Sequence, residues 1–373
     1  MRSILFTAST YSHIINFHLP YIKEFKRQGF RVDVACGGAK MEIPYADYVY
    51  HVPFEKSMTS PQNIKAIVEL RKIILTNKYV LVSCHTSLAS FFTRLAVMGI
   101  KNRPIVANTA HGYLFNELET HKKNLILSSA EKFVAPVTDL LMTMNEWDTD
   151  YAKKHKLSKC VSYIKGMGLD SKKLVTHKQS ENIKKELGIG EDKFVLIYAA
   201  EFSKRKSQHV LIDALTRLPE DIVLILAGQG DLLEQCKQYA YSLGLAHRIY
   251  FVGQVKMSLY YPIADLAVSS SKSEGLPFNI MEAMYNGLPI VASKIKGHTD
   301  LLEKTGAGLL YNYGDFETCA EQILRIYNNK ALKIQLGEHA KKVIEPYLLE
   351  NVLPDVMNEY KKLLPDIRVV EYI

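Results

Sequence analysis

The sequence predicts an α/β protein made of two doubly wound parallel-sheet domains, and three observations predict it. Short β-branched or apolar runs alternate with longer segments of 3.6-residue periodicity almost throughout, which is the pattern of repeated strand–helix units. With 373 residues the chain is long enough for two domains that each bury a core. A polar stretch near the middle separates two such series.

In the first series the strands are expected at Ile4–Ala8, Val32–Cys36, Tyr48–Val52, Val80–Cys84, Ile105–Ala107, Leu140–Met144 and Val161–Lys165, each a short run rich in Val, Ile, Leu or Tyr. Helices fill the gaps, as at Leu19–Gln28, which Gly29 closes. Gly166-Met167-Gly168-Leu169-Asp170 then leads into the lysine-, serine- and glutamine-containing stretch 171–181, read as a surface connection. The second series has strands at Phe194–Tyr198, Ile222–Leu226, Ile249–Val252, Leu266–Ser269 and Pro289–Ala292, a second Rossmann-like sheet. Helices at Phe316–Asn328, Leu332–Glu345 and Val352–Leu363 close the chain, set off by Pro346 and Pro354. The expected domains are therefore 1–170 and 171–350, with 351–373 a terminal helix returning to the first domain.

Composition narrows the function classes. An apolar content of 47%, a charged content of 23% and 13 prolines exclude a disordered or fibrous chain. Cys36, Cys84, Cys160, Cys236 and Cys319 stand singly, with no CxxC and no histidine pair at zinc-ligand spacing, so neither a disulfide framework nor a structural metal is indicated. The N-terminal MRSILFTAST runs directly into a strand and no apolar run reaches about 18 residues, so a cytoplasmic protein is expected. The net charge of +8 lies wholly in residues 1–170, which hold 22 Lys and Arg against 14 Asp and Glu. That excess fits an anionic acceptor or a membrane surface, and equally a lysine-rich solvated face.

Three segments at predicted strand ends carry chemistry. Glu274 precedes a Gly275-Leu276-Pro277 turn, and Glu282 falls eight residues later in the first turns of a helix that Asn279 or a neighbour opens after Phe278. Both lie at the carboxyl edge of a parallel sheet, where doubly wound folds bind ligands. A helix N-terminus there suits a diphosphate, and carboxylates accept hydrogen bonds from sugar or ribose hydroxyls. Taken alone, the two acids also fit a loop acid and a helix-surface acid. Lys204-Arg205-Lys206 follows the first strand of the second series, where cations would neutralise a diphosphate or simply be solvated. His111, in Ala110-His111-Gly112-Tyr113, follows a strand of the first series on a glycine-containing loop.

The spacing Glu274 to Glu282 resembles the E-x7-E signature of retaining GT-B glycosyltransferases of family 4, and the surrounding EGLPFNIMEAMYNGLPIVAS resembles that family almost residue by residue. The likeness extends over nearly the whole chain. It implies the GT-B fold, two Rossmann-like domains facing across a donor-binding cleft. It implies that Glu274 faces the donor sugar hydroxyls, that Glu282 grips the ribose, and that Arg205 and Lys206 are the family's Arg/Lys pair, although Ala200-Glu201 stands where the family often has Gly-Arg. NTAHG resembles the family segment whose histidine approaches the donor sugar, which makes His111 an active-site residue. Gly228-Gln229-Gly230 is similar to the family's glycine turn, and Gly253 lies where the nucleotide base often meets backbone. His13 and His18, in the loop and helix after the first strand, are acceptor contacts or ordinary loop and helix residues. Gly275, Leu276, Pro277, Phe278 and Asn279 complete the donor set.

Asp148-Thr149-Asp150 imitates the D-x-D motif that holds a divalent cation in the other large glycosyltransferase fold, but it lies in the helical pattern NEWDTDYAKKH and is expected to be surface acids. No metal or cofactor is therefore expected. The resemblance further implies retention by same-face attack, with the leaving phosphate oxygen helping to deprotonate the acceptor. FHLPYIKEFKRQG, NTAHGYLFNE and IKGHTDLLE are similar to the bacterial capsule, exopolysaccharide and lipopolysaccharide branch. The expected partners are a UDP-hexose or UDP-N-acetylhexosamine and a lipid-diphosphate-linked saccharide at the inner membrane face, with no nucleic acid. A UDP-sugar epimerase of the same fold and a non-catalytic nucleotide-binding scaffold are the alternatives. A dinucleotide-dependent dehydrogenase is disfavoured, since TASTYSHIIN replaces G-x-G-x-x-G after the first strand.

Overall fold

The computed structural model describes residues 1–55, 57–174, 182–365 and 367. The chain forms two compact units, one of Met1–Gly168 with Leu349–Ile373 and one of Leu169–Leu348.

In the first unit the strands are β1 (Ser3–Ala8), β2 (Arg31–Cys36), β3 (Tyr48–His51), β4 (Leu81–His85), β5 (Ile105–Ala110), β6 (Leu140–Thr143) and β7 (Cys160–Tyr163). They pair in parallel in the order β3-β2-β1-β4-β5-β6-β7. The order reverses between β1 and β4, the switch point of a doubly wound sheet. Burial explains the sequence pattern. Every residue of β1 and β4 is buried, as a central parallel strand covered on both faces must be, whereas edge strands β3 and β7 are half-exposed.

The helices of this unit are α1 (Tyr11–Phe17), α2 (Leu19–Arg27), α3 (Pro61–Asn77), α4 (Ser87–Val97), α5 (His121–Val134) and α6 (Glu146–Lys154). Side-chain caps open several of them: Thr10, Ser60, Thr120 and Asn145 each accept from a backbone N–H in the first turn. Gly29 takes φ +85°, the left-handed stop expected after α2.

The second unit carries α7 (Ile183–Leu187), β8 (Phe194–Ala199), α8 (Gln208–Leu215), β9 (Ile222–Ala227), α9 (Leu233–Ser242), β10 (Ile249–Gly253), β11 (Leu266–Ser269), α10 (Phe278–Tyr285), β12 (Ile290–Ser293), the single turn α11 (Lys296–His298), β13 (Leu309–Tyr311), α12 (Phe316–Tyr327) and α13 (Lys330–Ile344). Its sheet runs β10-β9-β8-β11-β12-β13, parallel throughout, with the switch point between β8 and β11. Strand β13, three residues long, is not predicted from sequence because so short a run is hard to tell from a loop.

Helix α14 (Leu349–Leu363) belongs to the first unit. It starts three residues earlier than expected, and Pro354 falls inside it. Burial of Val352, Leu353, Val356, Met357 and Tyr360 holds the helix despite the missing N–H. Tyr360 reaches the sheet, where its hydroxyl is 2.7 Å from Ser83 Oγ at the centre of β4. The proposed connection 171–181 lies outside the described residues from 175 on, and 171–174 form a 3-10 turn.

Candidate functional site

In the second unit, the loops after β8 and β11 meet at the switch point and bring three predicted residues together. Glu274 Oε2 accepts from Arg205 Nη1 at 3.0 Å, while Oε1 accepts from Ser271 Oγ at 2.7 Å and from Lys206 Nζ. Arg205 also donates to the Ser273 carbonyl at 3.0 Å. Burial alone would raise the Glu274 carboxyl. The charges of Lys206 and Arg205 and the hydrogen bonds from Lys206 and Ser271 instead hold it down at about 2. Lys206 is buried and its carbonyl accepts from Tyr198 and Ser270, whereas Lys204 is exposed. The structure thus separates Arg205 and Lys206 from the third cation of the run.

Backbone close approach builds this corner. Gly228 has φ +142°, and a Cβ there would lie 2.0 Å from the Ala200 carbonyl oxygen; its N–H donates to the Gly253 carbonyl at 2.7 Å. The glycine turn and Gly253 therefore clamp the loop that carries Arg205 and Lys206. Gly297, at α11, packs likewise on the Glu274 and Gly275 carbonyls. Beside it His298 is fully buried, with Nδ1 2.7 Å from the Ser293 carbonyl, and burial, only partly offset by the Glu274 charge, pushes it down to about 4.

Helix α10 begins at Phe278 with Pro277 as its cap, so Asn279 does not cap it; the Asn279 carbonyl instead accepts from Tyr261 Oη at 3.1 Å. Leu276 and Pro277 are buried and support the turn. Glu282 is half-buried on this helix and accepts from Tyr261 Oη at 2.9 Å. Burial raises its carboxyl, against the opposing effects of Tyr261 and Lys173. Ser271, Tyr198, Tyr261 and His298 were missed in the sequence. The serine run Ser269-Ser270-Ser271 at a strand end was the available signal, since hydroxyls there face whatever the edge binds.

In the first unit, four histidines gather at the carboxyl edge around its own switch point. His13 comes from α1, His18 from the junction of α1 and α2, His85 from the end of β4 and His111 from the residue after β5. His13 Nε2 and His111 Nε2 are 3.3 Å apart, and the His18 and His85 rings lie 3.7 Å apart, centroid to centroid. Burial lowers all four, His13 to about 4, so at neutral pH the cluster is uncharged. Ser9 and Thr86 tie the loops after β1 and β4 through a 2.6 Å hydroxyl contact. His13 and His111 are partly accessible, but His18 is fully buried among these rings and Phe6, which corrects its reading as an acceptor contact. His85 was missed, although its place one residue beyond a predicted strand was the signal.

Asp148 is also corrected. It is not a surface acid but fully buried, accepting from the Tyr113 N–H at 3.0 Å and from Asn145 Nδ2 at 2.8 Å, and so pinning the loop that carries His111. The helix period places it one turn before the buried Ala152, on the inner face.

Comparisons with known proteins converge on one family. Residues 179–343 match the model of glycosyl transferases group 1, and residues 21–160 match glycosyltransferase family 4. EpsD of Bacillus subtilis (strain 168), named as a glycosyltransferase, is 32% identical over 91% of each chain. The Escherichia coli UDP-Gal:alpha-D-GlcNAc-diphosphoundecaprenol alpha-1,3-galactosyltransferase is 23% identical over 87% of this chain and 88% of its own. Among solved structures, sucrose-phosphate synthase from Thermosynechococcus elongatus superposes with a TM-score of 0.81 at 18% identity, covering 98% of this chain and 100% of that one. Anabaena HepE in complex with UDP and glucose superposes at 0.80 and 19%, covering 97% and 100%. The two parallel-sheet units thus have the GT-B fold, and the chain belongs to glycosyltransferase family 4, enzymes that act on nucleotide sugars.

Proposed function

We propose that the chain is a retaining, metal-independent hexosyltransferase that uses a UDP-sugar, a hexose or N-acetylhexosamine, to extend a lipid-diphosphate-linked saccharide in capsule, exopolysaccharide or lipopolysaccharide synthesis. The observation that carries this reading is the Arg205–Lys206–Glu274 cluster at the second switch point. Departure of a nucleoside diphosphate builds negative charge, which Arg205, Lys206 and the positive end of α10 offset without a metal ion. Glu274 holds the two cations in place before the donor arrives and accepts hydrogen bonds from donor sugar hydroxyls, while Glu282 accepts from the ribose. His111 serves the donor sugar and His13 the acceptor. Reaction at the anomeric carbon passes through an oxocarbenium-like transition state, and the leaving phosphate oxygen takes the proton of the attacking hydroxyl on the same face. Gly228 and Gly253 keep the loop backbone close for the nucleotide.

The acceptor reading draws support from the diphosphoundecaprenol acceptor in the name of the Escherichia coli relative, and the donor reading from the UDP bound in the HepE complex. Peripheral attachment at the inner face of the cell membrane draws support from α5. There Leu125, Ile126 and Phe133 are exposed beside exposed Lys122, Lys123 and Lys132, a combination suited to an anionic lipid surface. No described helix is long and apolar enough to cross a membrane.

The test is a panel of UDP-, GDP- and dTDP-sugars incubated with EDTA and a lipid-diphosphate-linked acceptor, with product mass and anomeric configuration read for wild type and Glu274→Ala. Transfer with retention that survives EDTA and is lost in the variant is the expected result. Epimerised donor without acceptor, an inverted product, or a requirement for a divalent cation overturns the reading.

A further inference from the structure

The histidine cluster of the first unit has a geometry that sugar recognition does not require. One ring nitrogen each of His13, His18 and His111 lies within 4.8 Å of the other two. The 3.3 Å between His13 Nε2 and His111 Nε2 matches the edge of a tetrahedron around a zinc ion, which for bonds of 2.0–2.1 Å is about 3.3 Å. His18 supplies an independent sign. It is fully buried, yet neither of its ring nitrogens has a hydrogen-bond partner among the described residues. A buried polar nitrogen left without a partner is unfavourable, and a cation that takes its lone pair removes that cost.

The supporting framework is firm. His13 is fixed within α1, whose cap Thr10 accepts from the His13 N–H at 3.2 Å. His111 follows the buried strand β5 directly, and His85, packed against His18 with its ring tilted 31°, is held by a 2.9 Å contact between its Nε2 and Ser83 Oγ. Sites built on such elements hold their ligand geometry better than sites on loops.

We propose that His13, His18 and His111 form a three-imidazole site for a cation of the Zn²⁺ class, with the fourth position left to water or an anion. Three neutral imidazoles and no carboxylate select Zn²⁺, Ni²⁺ or Cu²⁺ over Mg²⁺ and Ca²⁺, which demand oxygen ligands. In the metal-free protein one of His13 and His111 donates Nε2–H to the other. Binding requires that ring to move its proton to Nδ1, with no net proton released. An ion held here occupies His13 and His111, which the proposed function gives to substrate, so it inhibits transfer. That last consequence rests on the proposed function, whereas metal binding itself does not.

The test titrates the metal-stripped full-length chain with Co²⁺, reads the visible absorption of tetrahedral cobalt, and displaces it with Zn²⁺. Wild type, His13→Gln and His18→Gln are compared, with circular dichroism as the control for folding. One ion per chain, a tetrahedral band, no displacement by Mg²⁺, and binding at least tenfold weaker in the variants are expected. Absence of the band, or equal binding by wild type and His13→Gln, overturns the assignment. Because His13 is partly exposed, its variant carries the test even where the His18 variant does not fold.

Discussion

Replacing Glu274 by Gln keeps the shape of the side chain and removes the charge that two cations share. The magnitude follows from the carboxyl's displacement from 4.5 to about 2 in a side chain only 10% exposed, where solvent screens little. At about 1.36 kcal/mol per pH unit, that is about 3 kcal/mol of folding stability at neutral pH. The sign is that of a depressed acid: the contribution is fully present above 4.5 and is lost as pH falls through about 2. At about pH 3 roughly 1.4 kcal/mol remains. Glu274→Gln is therefore expected to lower the melting temperature of the second unit by about 6–12 °C at neutral pH, and by less than half as much at about pH 3. Thermal unfolding followed by circular dichroism at the two pH values measures both. A variant as stable as wild type at neutral pH, or a deficit that does not shrink in acid, refutes the shared-charge account of this corner.

Gly228→Ala places a methyl group against the Ala200 carbonyl and enforces φ +142° on an L-residue, so a loss of about 3 kcal/mol is expected in chemical denaturation. His298, held neutral to about 4, makes the native state lose stability as pH falls from 6.5 toward 4, by up to about 3 kcal/mol. In His298→Gln that part of the slope disappears, and parallel curves for the two proteins would contradict it. Because burial raises the Glu282 carboxyl, its charged, hydroxyl-accepting form is lost above the ordinary range. If Glu282 holds the ribose as proposed, UDP-sugar affinity by calorimetry falls as pH is lowered, and is pH-flat and at least tenfold weaker in Glu282→Ala. Phe133→Ser with Ile126→Ser is expected to reduce co-sedimentation with anionic vesicles several-fold, with less effect on neutral ones.

The legible parts of this protein are those whose signal is local. Central strands such as Ile4–Ala8 and Ile222–Leu226 announce themselves as continuous apolar runs, because both faces of a parallel strand are covered. The pair Glu274 and Glu282 is legible through spacing within one turn and one helix. The ion pairs of Glu274 with Arg205 and Lys206 span 69 and 68 residues, and only the adjacency of β8 and β11 makes them. Likewise the close ring contact of His18 with His85 joins the α1–α2 junction to β4, and no local pattern marks His18 as buried rather than accessible. Asp148 shows the opposite failure. Its periodicity placed it inside, but its charge and its resemblance to a metal-binding motif favoured the surface, and the Tyr113 N–H that satisfies it lies 35 residues away.

The two switch points differ in charge, and the difference supports the ligands proposed for each. At the second, two cations face one carboxylate, and the dipole of α10 adds to the surplus, so a diphosphate arriving there meets net positive charge already assembled and already paired. Glu274 is what keeps that surplus from being a cost in the ligand-free protein, because without it the buried Lys206 would be unpaired beside the half-exposed Arg205. At the first, four imidazoles are held neutral by burial, which offers hydrogen bonds and lone pairs but no charge. A diphosphate placed there would leave its charge uncompensated unless the rings took up protons that burial resists. The neutral edge suits hydroxyl groups, and a metal cation that needs lone pairs, while the charged edge suits the nucleotide. Exchanging the two, by placing a carboxylate at His111 or removing the one at position 274, is expected to damage binding of opposite partners.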